Sequence, residues 1–225
     1  MSFTFLMILA MGAGFLIQMM LKNKMNQYSQ EVNPLGITGR EIAEKMLKEN
    51  GIFDVKVIST PGQLTDHYNP TDKTVNLSEL VYESNSITAA AVSAHECGHA
   101  VQHATAYNML GFRSQLVPVL NITNKIMPFV IMGGFLLLRS GITFPLIIGI
   151  ALYGLTTLFA IITLPVEFDA SNRALAWLDT KGMQGESYDK AKDSLKWAAM
   201  TYVVNAIASV LNLLYYISIL NSRRS

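Results

Sequence analysis

Charge and cysteine are what this chain of 225 residues has least of. Only 15% of its residues are Asp, Glu, Lys or Arg, against about 25% in soluble domains. The single cysteine, Cys97, excludes a disulfide framework and a thiolate zinc cluster. A lone thiol of this kind reads as a small apolar residue. Neither sign of charge is in excess, with 17 Lys and Arg against 16 Asp and Glu and a net charge of +1. That excludes the basic footprint of a nucleic-acid binder. No internal repeat or low-complexity tract is visible. Apolar residues fill the space, at 51% of the chain, with a mean hydropathy of +0.31. The balance is that of an integral membrane protein with a modest soluble portion.

Four apolar runs account for it. Residues 3–21 carry no charge and are followed at once by Lys22 and Lys24, long enough for the ~30 Å hydrocarbon layer. A cleaved signal peptide has a basic start, whereas here the lysines stand at the far end of the run, so a retained anchor is predicted. Residues 116–138 and 142–164 flank Arg139-Ser140-Gly141, which predicts a helical hairpin. Asn121, Thr123, Asn124 and Lys125 at the start of its first arm must face protein or water, lining an approach to a site or forming an interfacial turn. Residues 198–220 make the fourth run. The predicted division is an anchor at 1–21, a catalytic part at 22–115, the hairpin at 116–164, a polar helical segment at 165–197 and a final span with its tail at 198–225.

The first soluble segment opens with Thr38-Gly39-Arg40-Glu41, a capping box for a helix through Glu49 with Ile42, Met46 and Leu47 as its apolar stripe. Asn50-Gly51 ends it. Val55 to Ile58 alternates loosely as a strand. Leu64 to Tyr68 and Lys73 to Leu77 flank the turn chemistry of Asn69-Pro70-Thr71-Asp72, predicting a hairpin. A small sheet here can offer an edge strand to an extended peptide. His67 and Tyr68 are then either near a cleft or ordinary strand surface.

The organising stretch is Ala94-His95-Glu96-Cys97-Gly98-His99-Ala100, inside an alanine-rich run from Ser86 to His103 without proline. Helix is the expected state. Positions i and i+4 share a face, so His95 and His99 can aim two imidazoles at one zinc ion. Glu96 can reach water at that ion and act as general base. Gly98 permits close approach of a neighbouring element. His103, four residues beyond His99, is a polar residue at the helix end or the partner in an alternative His99/His103 pair. After the hairpin comes Leu164-Pro165-Val166-Glu167-Phe168-Asp169-Ala170-Ser171-Asn172-Arg173. Pro165 is predicted at a helix start, with Glu167 in the first turn. Because the hairpin goes out and returns, Glu167 comes back to the side of His95 and His99. As third ligand it would leave the fourth position open; alternatively it only complements the helix dipole. Asp169 and Arg173 are i, i+4 partners, a surface pair or, for Asp169, a residue orienting a ligand histidine. Of the 17 Lys and Arg, 13 lie in residues 22–116 and 166–198, which places the zinc side on the cytoplasmic face. Arg139, Arg223 and Arg224 fall on the other side.

Taken together, Leu64-Thr65-Asp66-His67-Tyr68, the stretch from Ala94 to Gln102, Arg113-Ser114 and the stretch from Leu164 to Ser171 resemble the neutral zinc metallopeptidases of bacterial membranes, the YugP-like proteins. The match runs from about residue 37 to residue 179, and the trailing span fits. That family is similar to the membrane gluzincins, heat-shock protease X and the CAAX prenyl proteases. The resemblance implies an α+β membrane protein with a zincin-like part and about four spans, in the bacterial plasma membrane. It also implies one zinc ion on His95, His99 and Glu167, with Glu96 as base. Gluzincins often carry an aspartate four residues after the ligand glutamate, where this chain has Ser171, so either Asp169 does that work or the support is built differently. The expected function is a membrane-embedded zinc endopeptidase acting on peptides or membrane proteins that emerge from the lipid. His67, Tyr68 and Arg173 are candidate oxyanion donors. A catalytically silent zinc-stabilised scaffold and a zinc hydrolase of lipids are the competing expectations. The residues do not indicate an oligomeric state.

Overall fold

A computed structural model of the chain describes residues 3–138 and 140–222. Arg139, Arg223 and Arg224 lie outside the described residues. In chain order the elements are helix α1 (Phe3–Tyr28), α2 (Gly39–Glu49), strands β1 (Lys56–Thr60), β2 (His67–Asn69) and β3 (Thr74–Ser78), then α3 (Glu79–Glu83), α4 (Ile87–Ala104), α5 (Asn108–Leu138), α6 (Phe144–Thr180) and α7 (Glu186–Asn221). The chain is thus an α+β membrane protein: α1, α5, α6 and α7 are each long and apolar enough to cross a bilayer.

Two compact units are distinguished. One comprises residues 17–110 and 165–200, the other residues up to 16, 111–164 and from 201 on. In the first, α2 begins as its sequence predicts. The Thr38 hydroxyl accepts from the Glu41 N–H at 3.3 Å, and the Glu41 carboxylate accepts from the Thr38 N–H at 2.8 Å. Ile42, Met46 and Leu47 are buried with Val75, Leu77, Ala90, Ala94 and Leu178 in one core. The expected hairpin forms, β2 antiparallel to β3, but its first strand is His67–Asn69 rather than Leu64–Tyr68, and β1 pairs parallel with β3, so the sheet order is β1-β3-β2. β2 is therefore an edge strand.

In the other unit, α5 and α6 form the predicted hairpin through a tight turn in which Gly141 adopts φ +79° and donates its N–H to Leu138 O at 3.2 Å. A Cβ built on Gly134 would lie 2.8 Å from Leu146 Cα, so only glycine allows this approach. Ile122, Phe129 and Leu136 are about two-thirds exposed, a surface suited to lipid. Among the four polar residues of the first arm, Thr123 is buried while Asn121, Asn124 and Lys125 are exposed.

One expectation fails here. Pro165 does not start a helix: α6 begins at Phe144 and runs through Pro165 without interruption. Pro118 and Pro128 are likewise interior to α5. Apolar spanning helices tolerate proline because neighbouring groups meet the freed carbonyl. The consequence is that Glu167 lies deep inside a helix, so the reading of it as a first-turn glutamate complementing the dipole is withdrawn.

Candidate metal centre

Helix α4 is built for burial. The Ser86 hydroxyl caps it by accepting from Ala89 N–H at 3.1 Å, and nearly every residue from Ile87 to Gln102 is buried. Small side chains let α6 lie against it. At Gly98 an added Cβ would meet Ala170 O at 2.6 Å, so glycine sets the closest approach of the two helices. Cys97 points the other way. Its Sγ donates to Ala43 O at 3.5 Å, and burial pushes the thiol well above its ordinary pKa, leaving it chemically quiet.

At this crossing His95, His99 and Glu167 converge, their ligand-capable atoms within 4.8 Å of one another. Glu167 Oε2 lies 3.3 Å from His95 Nε2 and 3.5 Å from His99 Nε2. Two ligands at ~2.0–2.1 Å from a tetrahedral ion stand about 3.4 Å apart, so the donor set and the two carboxylate–imidazole separations fit zinc. The side chains are 13%, 9% and 3% exposed respectively, so His99 and Glu167 are buried and His95 is the one nearest the surface. Burial pulls the His99 imidazole down, but the Glu167 and Glu96 carboxylates outweigh it and hold the pKa above its ordinary value. Among the described residues His103 is not part of this group; its Nδ1 bonds the Tyr68 hydroxyl at 2.7 Å on the exposed side.

Behind each imidazole stands a different partner. His95 Nδ1 meets Ser171 Oγ at 3.1 Å. His99 Nδ1 meets Gln102 Oε1 at 3.0 Å. The Gln102 amide donates its two N–H groups to Val166 O and Asp169 Oδ2, both at 2.8 Å. Both recipients are acceptors, so the amide oxygen must face His99, and His99 must carry its proton on Nδ1. The lone pair of Nε2 is thereby aimed at the shared site. Asp169 also accepts from Arg173 Nε at 2.6 Å, and the Arg173 guanidinium lies 5.9 Å from the centroid of the Tyr107 ring. Asp169 therefore touches no histidine directly; it acts through Gln102. Gln102 and Ser171 are the two groups here that motif spacing alone does not pick out. Their signal was positional: Gln102 follows His99 by three residues and Ser171 follows Glu167 by four, each one turn along the same face.

Glu96 is 8% exposed, and the Tyr68 N–H donates to its Oε2 at 3.0 Å. The outer edge of β2 thus faces the carboxylate. His67 is exposed, with Nδ1 2.7 Å from Thr65 O. Of the three proposed oxyanion donors, Arg173 is engaged by Asp169 and the Tyr68 hydroxyl by His103.

The arrangement agrees with what the chain is similar to. Residues 3–221 match the family model described as "Putative neutral zinc metallopeptidase". The chain is 40% identical over 225 residues, 99% of both chains, to a Bacillus subtilis protein named "Putative membrane protease YugP". No solved structure matches it. The chain belongs to this zinc metallopeptidase family of membrane proteins.

Proposed function

We propose that the chain is a gluzincin-type endopeptidase of the bacterial plasma membrane, with its active site on the cytoplasmic face and one zinc ion held by His95, His99 and Glu167. The single observation that carries this is the convergence of those three side chains beside Glu96, itself tethered to an edge strand. Bound there, zinc supplies Lewis acidity, polarising a carbonyl and making water nucleophilic near pH ~7. Glu96 takes the proton of the attacking water and returns it to the leaving amine as the C–N bond breaks. The Tyr68 N–H keeps the Glu96 carboxylate oriented between the two transfers. Gln102 and Ser171 hold the imidazoles. An extended peptide lies along the outer edge of β2, beside the Tyr68 N–H that Glu96 already accepts, which brings its backbone to Glu96. In the same α6 helix, Glu167 follows the uncharged run by only three residues, which supports substrates that leave the bilayer. The placement of 13 of 17 Lys and Arg in residues 22–116 and 166–198 supports the cytoplasmic orientation.

Glu96→Gln in detergent-purified protein tests the reading. Zinc content should be retained while cleavage of casein-type substrates falls by about 10²–10⁴-fold. Equal activity of the two proteins on peptide and lipid substrates would leave a scaffold. A Glu96-dependent activity confined to lipid esters would make the chain a lipid hydrolase.

A further inference from the structure

Beyond the reacting groups, the first unit contains a cavity of about 110 Å³, comparable with the ~150 Å³ cavity class that holds a small apolar molecule. We propose that this cavity is the specificity pocket of the peptidase and takes an apolar, leucine-sized side chain of the substrate close to the cleaved bond. The inference rests on the peptidase reading above.

Position comes first. One wall is α4 itself, through Thr88, Ala89 and Val92. Thr88, Val92, His95 and His99 follow one another at i, i+4, i+7 and i+11, a single face of the helix. Val92 and Ala89 precede His95 by about 4.5 and 9 Å along the axis. An extended peptide advances ~3.3 Å per residue, so the pocket serves a residue one to three positions from the bond beside Glu96. Helix α1 contributes Lys22, Met25 and Asn26, and a further wall is the segment leading into β2, through Gln63, Leu64 and Asp66. It runs directly into Tyr68, whose N–H holds Glu96. A peptide lying along the β2 edge therefore passes the mouth of the cavity.

Chemistry and construction agree with that position. Met25, Val81, Ala89 and Val92 make an apolar interior. At the mouth, Leu64 is 54% and Leu80 64% exposed, two large apolar side chains left uncovered that a substrate would cover. Leu64 also sits at φ +57°, a conformation that a leucine rarely adopts and that concentrates at ligand clamps. The loop is pinned. Asp66 Oδ1 accepts the Ser78 N–H at 2.7 Å, and Asp66 Oδ2 accepts from the Ser78 hydroxyl at 3.2 Å. The segment leading into β2 is thereby held against the end of β3.

Internally quenched decapeptides differing only by Ala, Leu, Phe or Asp at one scanned position test this on the full chain in detergent. Wild type should prefer Leu over Ala at one position by about 10- to 200-fold in kcat/KM, and Val92→Phe, which fills the cavity, should cut that ratio at least tenfold. Leu80→Ser, at an exposed rim position, reads the same ratio without burdening the core and should lower it several-fold. Binding of the same peptides to Glu96→Gln, followed by fluorescence anisotropy, should show the Leu preference without turnover, and Val92→Phe in that background should remove it. Cleavage by wild type with a Leu/Ala ratio that neither variant moves overturns the pocket. No cleavage of any peptide by zinc-loaded wild type overturns the peptidase reading instead. In that event equal binding of the Leu and Ala peptides to Glu96→Gln overturns the pocket as well.

Discussion

His95 and His99 stand one helical turn apart and face the same carboxylate, but the regions behind them are built differently. Behind His95 is one hydroxyl, Ser171 Oγ at 3.1 Å. Behind His99 a buried amide is fixed in turn by a backbone carbonyl and by Asp169, which Arg173 holds. A serine can donate or accept and so leaves the His95 tautomer open, whereas the amide with both N–H groups committed does not. The difference teaches that one half of the site is held by a chain of groups with a single consistent set of proton positions. The other half is held by a contact that can adjust.

The largest expected effect removes what the two halves share. Glu167→Ala should abolish both stoichiometric zinc and activity, because a His₂ pair alone lacks the third ligand; atomic absorption on dialysed protein reads this. Full zinc content in that variant would break the comparison at its root. Next, Gln102→Ala should weaken zinc by about 10–100-fold, the usual cost of losing a group behind a ligand histidine. A competing chelator titration measures it. Ser171→Ala should cost less than tenfold by the same titration, since a single neutral hydrogen bond is worth only ~0.5–1.5 kcal/mol net. If the two variants weaken zinc equally, the difference between the two supports has no energetic content.

Much of this molecule was legible in its sequence, and the boundary is physical. The capping box at Thr38, the two histidines at i and i+4, the β2–β3 hairpin and the four apolar runs are local patterns whose period or turn chemistry carries its own meaning. The return of Glu167 followed from counting membrane crossings. What escaped depends on partners distant in the chain. Strand β1 pairs parallel with β3 because of tertiary packing that no short window contains. Pro165 reads as a helix start by the habits of soluble proteins, and an apolar helix runs through it. Gln102 acquires its role only when Val166 and Asp169 arrive from α6. Asp169, read either as the partner of Arg173 or as a residue orienting a histidine, pairs with Arg173 and reaches His99 only through Gln102.

Protons give the smallest effect and sharpen the comparison on the His99 side. Without metal, His99 has a pKa raised above its ordinary 6.5, so the metal-free fold binds a proton more tightly than the unfolded chain does. That contribution to stability is complete below pH 6.5 and is lost as pH rises through the raised value. Zinc requires the neutral imidazole, so its stabilisation runs the opposite way and grows over the same window. The gap between zinc-loaded and EDTA-treated protein should therefore widen from pH 6 to pH 8. At fixed free zinc, up to tenfold in affinity per proton displaced per pH unit is worth about 1.4 kcal/mol. At this chain length that corresponds to a shift in melting temperature of a few degrees, about 2–4 °C per kcal/mol. Gln102→Ala removes one of the contacts that raise the His99 pKa and should move the window toward lower pH, whereas Ser171→Ala should leave it in place. A gap that stays constant from pH 6 to pH 8, or one that Ser171→Ala moves as far as Gln102→Ala does, would show that the proton held at His99 does not compete with the metal.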